Sequence, residues 1–305
     1  MKLHHFIMLS ALGCAFGLAT GCSSIRQSMM AEATDSLAAA AALSFQQESD
    51  PALAADAMPF ALKTLDMLAL QQPDHPAILL AAAKSYIQYS AAFLDWEARK
   101  IEDEDFRAAR DLRQRAARLY LRGRDYAAAA LESRHPGFND DLLDVLPRMK
   151  PADVPYLYWF GAGWAAAIAA NPSDMSHVAS LPLVEAVMRR AVELDPDFDR
   201  GALHDFFVLF EGGRGEAAGG NPRRAEEAFE RAVQASAGEL ASPYVSLATT
   251  VMIQRQDAGR FKSLLEKALA IDPDANPDVR LANIIARDKA RWYLTNIDNF
   301  FLETE

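Results

Sequence analysis

The side chains best placed for specific chemistry lie in two aromatic-rich segments. In Leu119-Tyr120-Leu121-Arg122-Gly123-Arg124-Asp125-Tyr126, helical spacing sets Tyr120 one turn before Arg124 and Arg122 one turn before Tyr126. Each arginine therefore shares a helix face with an aromatic ring. A guanidinium is a planar fork of donors that takes carboxylates, either a protein partner such as Asp125 or Glu132, or the carboxylate of a ligand. In the segment Tyr156-Leu157-Tyr158-Trp159-Phe160-Gly161-Ala162-Gly163-Trp164, five aromatics flank two glycines. Glycine within a helix costs about 0.5–1 kcal/mol relative to alanine. Close helix approach, or room for a bound molecule, would offset that cost. Tyr86, Tyr89 and Phe93 form a further stripe. Such aromatics either fill a core or line a ligand channel. The candidate ligand-binding set is Tyr86, Tyr89, Tyr120, Arg122, Arg124, Tyr126, Tyr158, Trp159 and Trp164.

Other chemistries find little support. Gly213-Arg214-Gly215-Glu216-Ala217-Ala218 fits a dinucleotide fingerprint on paper, but helix-forming residues precede it where a strand is required. His75 and His135 each stand before a proline, as loop or cap residues do, and neither they, His177 nor His204 has zinc spacing. No G-x-S-x-G elbow occurs. Neither catalysis, a cofactor nor a metal is expected. With 31 Lys+Arg against 42 Asp+Glu, the net charge of −11 also argues against nucleic acid, whose affinity comes largely from phosphate neutralisation. The charge run from Glu97 to Asp111 reads as a solvated helix end and connection.

Residues 1–21 read as an export signal. Lys2 supplies a thin positive region, and Phe6–Leu18 is an apolar run too short to span a bilayer. Leu18-Ala19-Thr20-Gly21-Cys22 resembles the bacterial lipoprotein signal, in which the cysteine is lipidated. Leucine stands one place early and Ala19 occupies its usual position. Cleavage removes Cys14 and Lys2, leaving Cys22 as the one cysteine and a charge of −12. No intramolecular disulfide is then possible, so a periplasmic protein must rely on its core. Ser23-Ser24 after Cys22, in place of an aspartate, favours the outer membrane by the same resemblance. Residues 22–26 would be a short tether and 27–305 a single all-helical domain.

The elements that must position the aromatic segments are helices. Ala, Leu, Arg, Glu and Gln dominate, and alternating β-branched runs are absent. Prolines 51, 76, 182, 222, 243 and 277 follow capping or loop residues where helices begin, while Pro59 is expected to kink or restart one. The pattern predicts helices near 27–47, 51–58, 59–71, 76–102, 104–133, 139–146, 153–170, 182–194, 199–210, 222–236, 243–255, 259–271 and 277–294. Short loops make neighbours pack antiparallel.

Repeats define the array. Ala191-Val192-Glu193-Leu194-Asp195-Pro196-Asp197 returns as Ala268-Leu269-Ala270-Ile271-Asp272-Pro273-Asp274, with Ala225, Phe229 and Ala232 between them. Small residues let helices approach, the bulky one fills the gap, and Asp-Pro stops the helix. The intervals exceed the tetratricopeptide period of about 34 residues, partly through the glycine-rich insertion 212–220. Degenerate tetratricopeptide-like helix pairs are the expected fold.

The chain resembles the TatT family, tetratricopeptide lipoproteins associated with tripartite ATP-independent periplasmic (TRAP) transporters. Tyr86–Phe93, Arg118–Tyr126, Leu157–Ile168, Met188–Asp195, Ala225–Ala232 and Arg280–Trp292 carry the resemblance. It implies an all-α protomer whose repeats surround a central pore, assembly as a homotrimer, and partnership with a TatP-like periplasmic solute-binding protein. It further implies a small apolar or carboxylate ligand delivered toward a membrane transporter, with the arginines named above as its polar contacts. The rival expectation, from another class, is an envelope-assembly scaffold that grips peptides in a repeat groove. That reading calls for asparagine and lysine clamps, and lysines are few.

Overall fold

The computed structural model describes residue 36 and residues 39–302. The export signal, Cys22, the tether 22–26 and most of the expected helix 27–47 lie outside the described residues. The chain divides into two compact units, 1–44 and 45–305. Of the first, residues 39–44 are helical.

Every regular element among the described residues is helical. Helix α1 (Pro51–Gln71) is followed by α2 (Pro76–Tyr89), which runs through a π-helical turn, Ser90–Asp95, into α3 (Trp96–Ile101). Then come α4 (Phe106–Arg134), the single turn α5 (Leu142–Val145), α6 (Val154–Ala170), the single turn α7 (Met175–Val178), α8 (Leu181–Leu194) and α9 (Phe198–Gly212). The chain ends with α10 (Pro222–Ala235), α11 (Ser242–Leu247, extended by a π turn at Ala248–Met252), α12 (Ala258–Ala270) and α13 (Arg280–Thr295). Starts follow the expected chemistry. Asp50, Asp105, Asn221 and Asp257 each accept a backbone N–H of the first turn, an exchange worth about 1 kcal/mol. The Asp-Pro pairs stop α8 and α12.

Two local expectations need correcting. Pro59 does not divide its helix: α1 is continuous from Pro51 to Gln71. Pro59 lies on the exposed face, where water replaces the hydrogen bond that its missing N–H cannot make. The helix expected from 199 begins with Asp199, Arg200 and Gly201 in left-handed conformation. Gly201 is needed there twice over, since a Cβ would lie 2.9 Å from the Ala235 Cβ and 3.2 Å from the Ala232 Cα.

Helices pack in sequence. α1 lies on α2, α2 on α4, α4 on α6, and α6 on both α8 and α9; α9 then packs on α10 and α11, α11 on α12, and α12 on α13. Helix α13 returns to α1. Arg280 donates to the Gln47 carbonyl at 2.9 Å, and the Gln47 amide to Asp278 at 3.1 Å. On the same seam the Trp96 indole donates to Asp288 at 3.3 Å and meets Trp292 edge-on at 5.3 Å. The array thus closes into a ring. The stretch Pro76–Ile101 is long and apolar enough to cross a membrane, yet Ile78, Leu79, Ala82, Ala83, Tyr86 and Ile87 are buried against neighbouring helices. It is a core helix here.

The glycines of the aromatic segments serve close approach. A Cβ on Gly123 would sit 2.7 Å from Ile87 Cγ1, and one on Gly163 2.7 Å from Ile87 Cδ1. Ile87 of α2 is therefore clasped between α4 and α6, which fixes the register of the three helices carrying most of the candidate residues.

Candidate functional site

The first assembly is built on Asp66, the one acid on the buried face of α1, only 4% exposed. Tyr86 donates to its carboxylate at 2.9 Å and Tyr126 at 2.7 Å. Lys63 approaches at 2.5 Å and Arg122 at 2.8 Å. The two tyrosine rings stack at 5.9 Å, and the Arg122 guanidinium lies over Tyr86 at 4.9 Å. Burial alone would raise the Asp66 carboxyl, but the hydrogen bonds from Lys63, Tyr126 and Tyr86, with the charge of Arg122, hold it below the usual range. Burial and the neighbouring carboxylate push the Tyr86 and Tyr126 hydroxyls up, so both remain donors. A groove of about 390 Å³ opens beside this hub, with Ala69, Leu70, Pro73, Leu79 and Ala129 as apolar walls and Arg122, Asp125 and Tyr126 at its polar side.

The remaining candidates fall elsewhere. Arg124 pairs with Asp125 at 2.5 Å and lies over the Trp164 ring at 5.4 Å. Trp164 is half-buried, and its indole N–H is sealed from solvent with no partner among the described residues. Tyr158 meets Trp159 edge-on at 4.9 Å and Phe198 at 5.4 Å. Tyr120, 2% exposed, and Tyr89, against Phe93, are core residues. The structure thus unites Tyr86, Arg122 and Tyr126, pairs Arg124 with Trp164 and Tyr158 with Trp159, and leaves Tyr120 and Tyr89 apart. Glu132 partners neither arginine; its carboxylate accepts the backbone N–H groups of Gly137 and Asn139.

A second assembly escaped the sequence reading. Lys289 from α13 is under the charges of both Asp95, from the π turn after α2, and Asp205, from α9. Burial raises both aspartates, which Lys289 partly offsets, and lowers Lys289 against the pull of Asp95 and Asp205. Tyr158, also pushed up by burial, senses Asp205, and Tyr120 senses Asp95. The serine hydroxyls at 242 and 246 approach Asp205, yet its Oδ1 has no hydrogen-bond partner among the described residues. Lys289 Nζ lies over the Trp96 ring at 5.5 Å. All three charged groups are half-buried, although burial dominates their electrostatics. Asp205 and Lys289 carry one legible signal, a charge on the apolar face of a helix. Asp95 had none, because the π turn shifts the helical phase by one residue.

The glycine-rich segment is no dinucleotide cradle. It follows α9 directly, closes through a short turn at Glu216–Ala218, and α10 opens only at Pro222. Gly220 is needed for the turn itself, since a Cβ would collide with the Arg214 carbonyl.

The family described as TRAP transporter T-component matches residues 47–301. An uncharacterised protein of Treponema pallidum (strain Nichols) is 32% identical over 267 residues, covering 85% of this chain and 83% of that protein. The matched span takes in the whole ring and both assemblies.

Proposed function

The chain belongs to the TRAP transporter T-component family, which gives it a part in TRAP transport at the cell envelope, and from that premise we propose that it is a lipid-anchored periplasmic adaptor. Lipid on Cys22 holds it at a membrane face, the outer membrane in preference. A TatP-like solute-binding protein docks on the helical array, in one or three copies of the chain, and a small, mainly apolar ligand passes through its interior without chemical change.

The observation that carries the reading is the interior of the closed ring. Tyr158, Asp205 and Lys289 are half-buried, and burial is the largest influence on the ionisation of each. That combination supports an interior that water or a guest can enter, since a wholly filled core would leave such groups no surface. Ligand chambers are typically apolar with a few convergent polar groups. The Asp66 groove is the second place for a ligand carboxylate, with Arg122, 44% exposed, as its donor.

The test is affinity capture of the tagged protein from membranes of its own host, followed by identification of bound proteins and small molecules. Co-isolation of the system's solute-binding protein, lost when Cys22→Ala releases the chain from the membrane fraction, supports the adaptor. A chain that stays at the membrane without that partner refutes it. Arg122→Ala in a folded chain then separates groove from interior: unchanged ligand retention removes the arginine from the site.

A further inference from the structure

Resting on the reading of the Asp66 groove as a place for a ligand carboxylate, we propose that this groove takes a small zwitterion, an α-amino acid with an apolar side chain. Arg122 and Asp125 hold its head, and its side chain lies against the groove walls. Both charged residues line the groove and stand three apart on α4. Residues so spaced are neighbours on one helix face, with Cβ atoms about 5–6 Å apart. Opposite charges at that spacing commonly pair, yet here each turns to another partner. Arg122 reaches Asp66 through one terminal nitrogen at 2.8 Å and lies over the Tyr86 ring at 4.9 Å. A guanidinium has five N–H donors, so this fixed, 44% exposed fork keeps donors for a ligand. Asp125 takes both of its bonds from Arg124 on Oδ1, at 2.9 and 2.5 Å, and its Oδ2 accepts none among the described residues. A cationic donor and a carboxylate acceptor thus stand side by side at the polar edge of an apolar groove.

Size and charge narrow the class. At about 390 Å³ the groove lies near the lower end of ligand pockets, about 300–1,000 Å³, so its occupant is small. Leu79, Ala129 and the last turn of α1 give it apolar walls that an inorganic anion would not cover. A ligand with only a carboxylate would meet Arg122 but sit beside the negative charge of Asp125. One with only an ammonium would meet Asp125 but face Arg122. A zwitterion answers both, since its two groups branch from one carbon and reach two residues one helical turn apart.

The test is isothermal titration calorimetry of the purified full chain with three probes of one apolar body. These are L-leucine, 4-methylpentanoate, which lacks the ammonium, and 3-methylbutylammonium, which lacks the carboxylate. Leucine is expected to bind at least tenfold more tightly than either. The Asp125 side chain is 63% exposed, so Asp125→Asn should fold. In that variant leucine should fall to the affinity of 4-methylpentanoate, whose own binding holds or tightens. Equal binding of leucine and 4-methylpentanoate by the unaltered chain overturns the zwitterion and leaves the groove as a carboxylate site. A preference for 3-methylbutylammonium overturns both. If leucine keeps its advantage in Asp125→Asn, it binds elsewhere and the proposal falls. If none of the three binds, the groove is no ligand site and the proposal falls with it, while the interior of the ring keeps its own test.

Discussion

The carboxylates of this protein divide into two kinds by what surrounds them. Asp66 collects two hydroxyls and two cations, and Asp153 collects Arg134 at 2.7 Å, His135 at 3.0 Å and the Lys150 backbone N–H at 2.9 Å. Replacing Asp66 with Asn should cost about 1–3 kcal/mol in urea unfolding, mainly through the buried Tyr86 hydroxyl, since Lys63 and Arg122 are 67% and 44% exposed and recover water. Asp205 behaves in the opposite sense. Burial of its charge outweighs the relief from Ser246, Ser242 and Lys289, so Asp205→Asn should leave stability at pH 7 unchanged or higher by about 1 kcal/mol. The pH dependence follows the same division. Asp66, Asp153 and Glu102 have lowered folded values, Glu102 down to about 2 through its hydrogen bonds with Arg113 and Arg99. Their stabilisation is complete above the unfolded range near pH 4 and is lost as pH falls through the folded values. The raised pair, Asp95 and Asp205, gives the reverse: protonation above pH 4 relieves strain before the others begin to lose theirs. Urea midpoints between pH 7 and 2 should therefore hold or rise slightly before dropping, and in Asp205→Asn the rise should shrink. Arg122 with Tyr126 was legible as a pair from spacing alone. Their shared partner was not, because Asp66 lies on another helix and hydrogen-bond partners distant in sequence leave no local signature.

At the scale of the elements, the close packing of α2, α4 and α6 turns on Ile87 and two glycines. Gly163→Ala places a methyl 2.7 Å from Ile87 Cδ1 and 3.2 Å from the Tyr120 carbonyl. It should destabilise by about 1–3 kcal/mol, as overpacking does. Adding Ile87→Val, which removes Cδ1, should recover part of the loss, so a double-mutant cycle would show the two changes to be non-additive. Strict additivity would refute this contact. The sequence placed Gly161 and Gly163 between two uses, close approach or space for a ligand, and the distances decide for approach. Helix boundaries were largely readable because Asp, Asn and Pro mark starts chemically at 50–51, 221–222 and 276–277. The exceptions share a cause. Pro59 and the left-handed turn at Asp199–Gly201 depend on which side of the backbone meets water or another helix, and only tertiary packing sets that.

For the molecule as a whole, the decisive feature is that the last helix returns to the first. Trp96 of α3 pins the returning helix α13 through its hydrogen bond to Asp288, its edge contact with Trp292 and the Lys289 amine over its ring. Trp96→Ala should cost about 3–5 kcal/mol and loosen the seam selectively, with amides of α13 and α1 exchanging well before those of α4 and α6 in hydrogen-exchange measurements. Uniform loss of protection would mean that the seam is no weaker than the rest. The all-α architecture was readable from composition and periodicity. Closure was not, because it rests on aromatic and polar contacts between residues nearly two hundred positions apart in the chain, such as Trp96 with Asp288. In the proposed function, this helical array carries a guest on behalf of a transport system. Native mass spectrometry of the protein taken gently from its own host tests that most directly. One small molecule per chain, retained in solution and released on collisional activation, is the predicted result; a chain of bare polypeptide and acyl mass, without any guest, would contradict it.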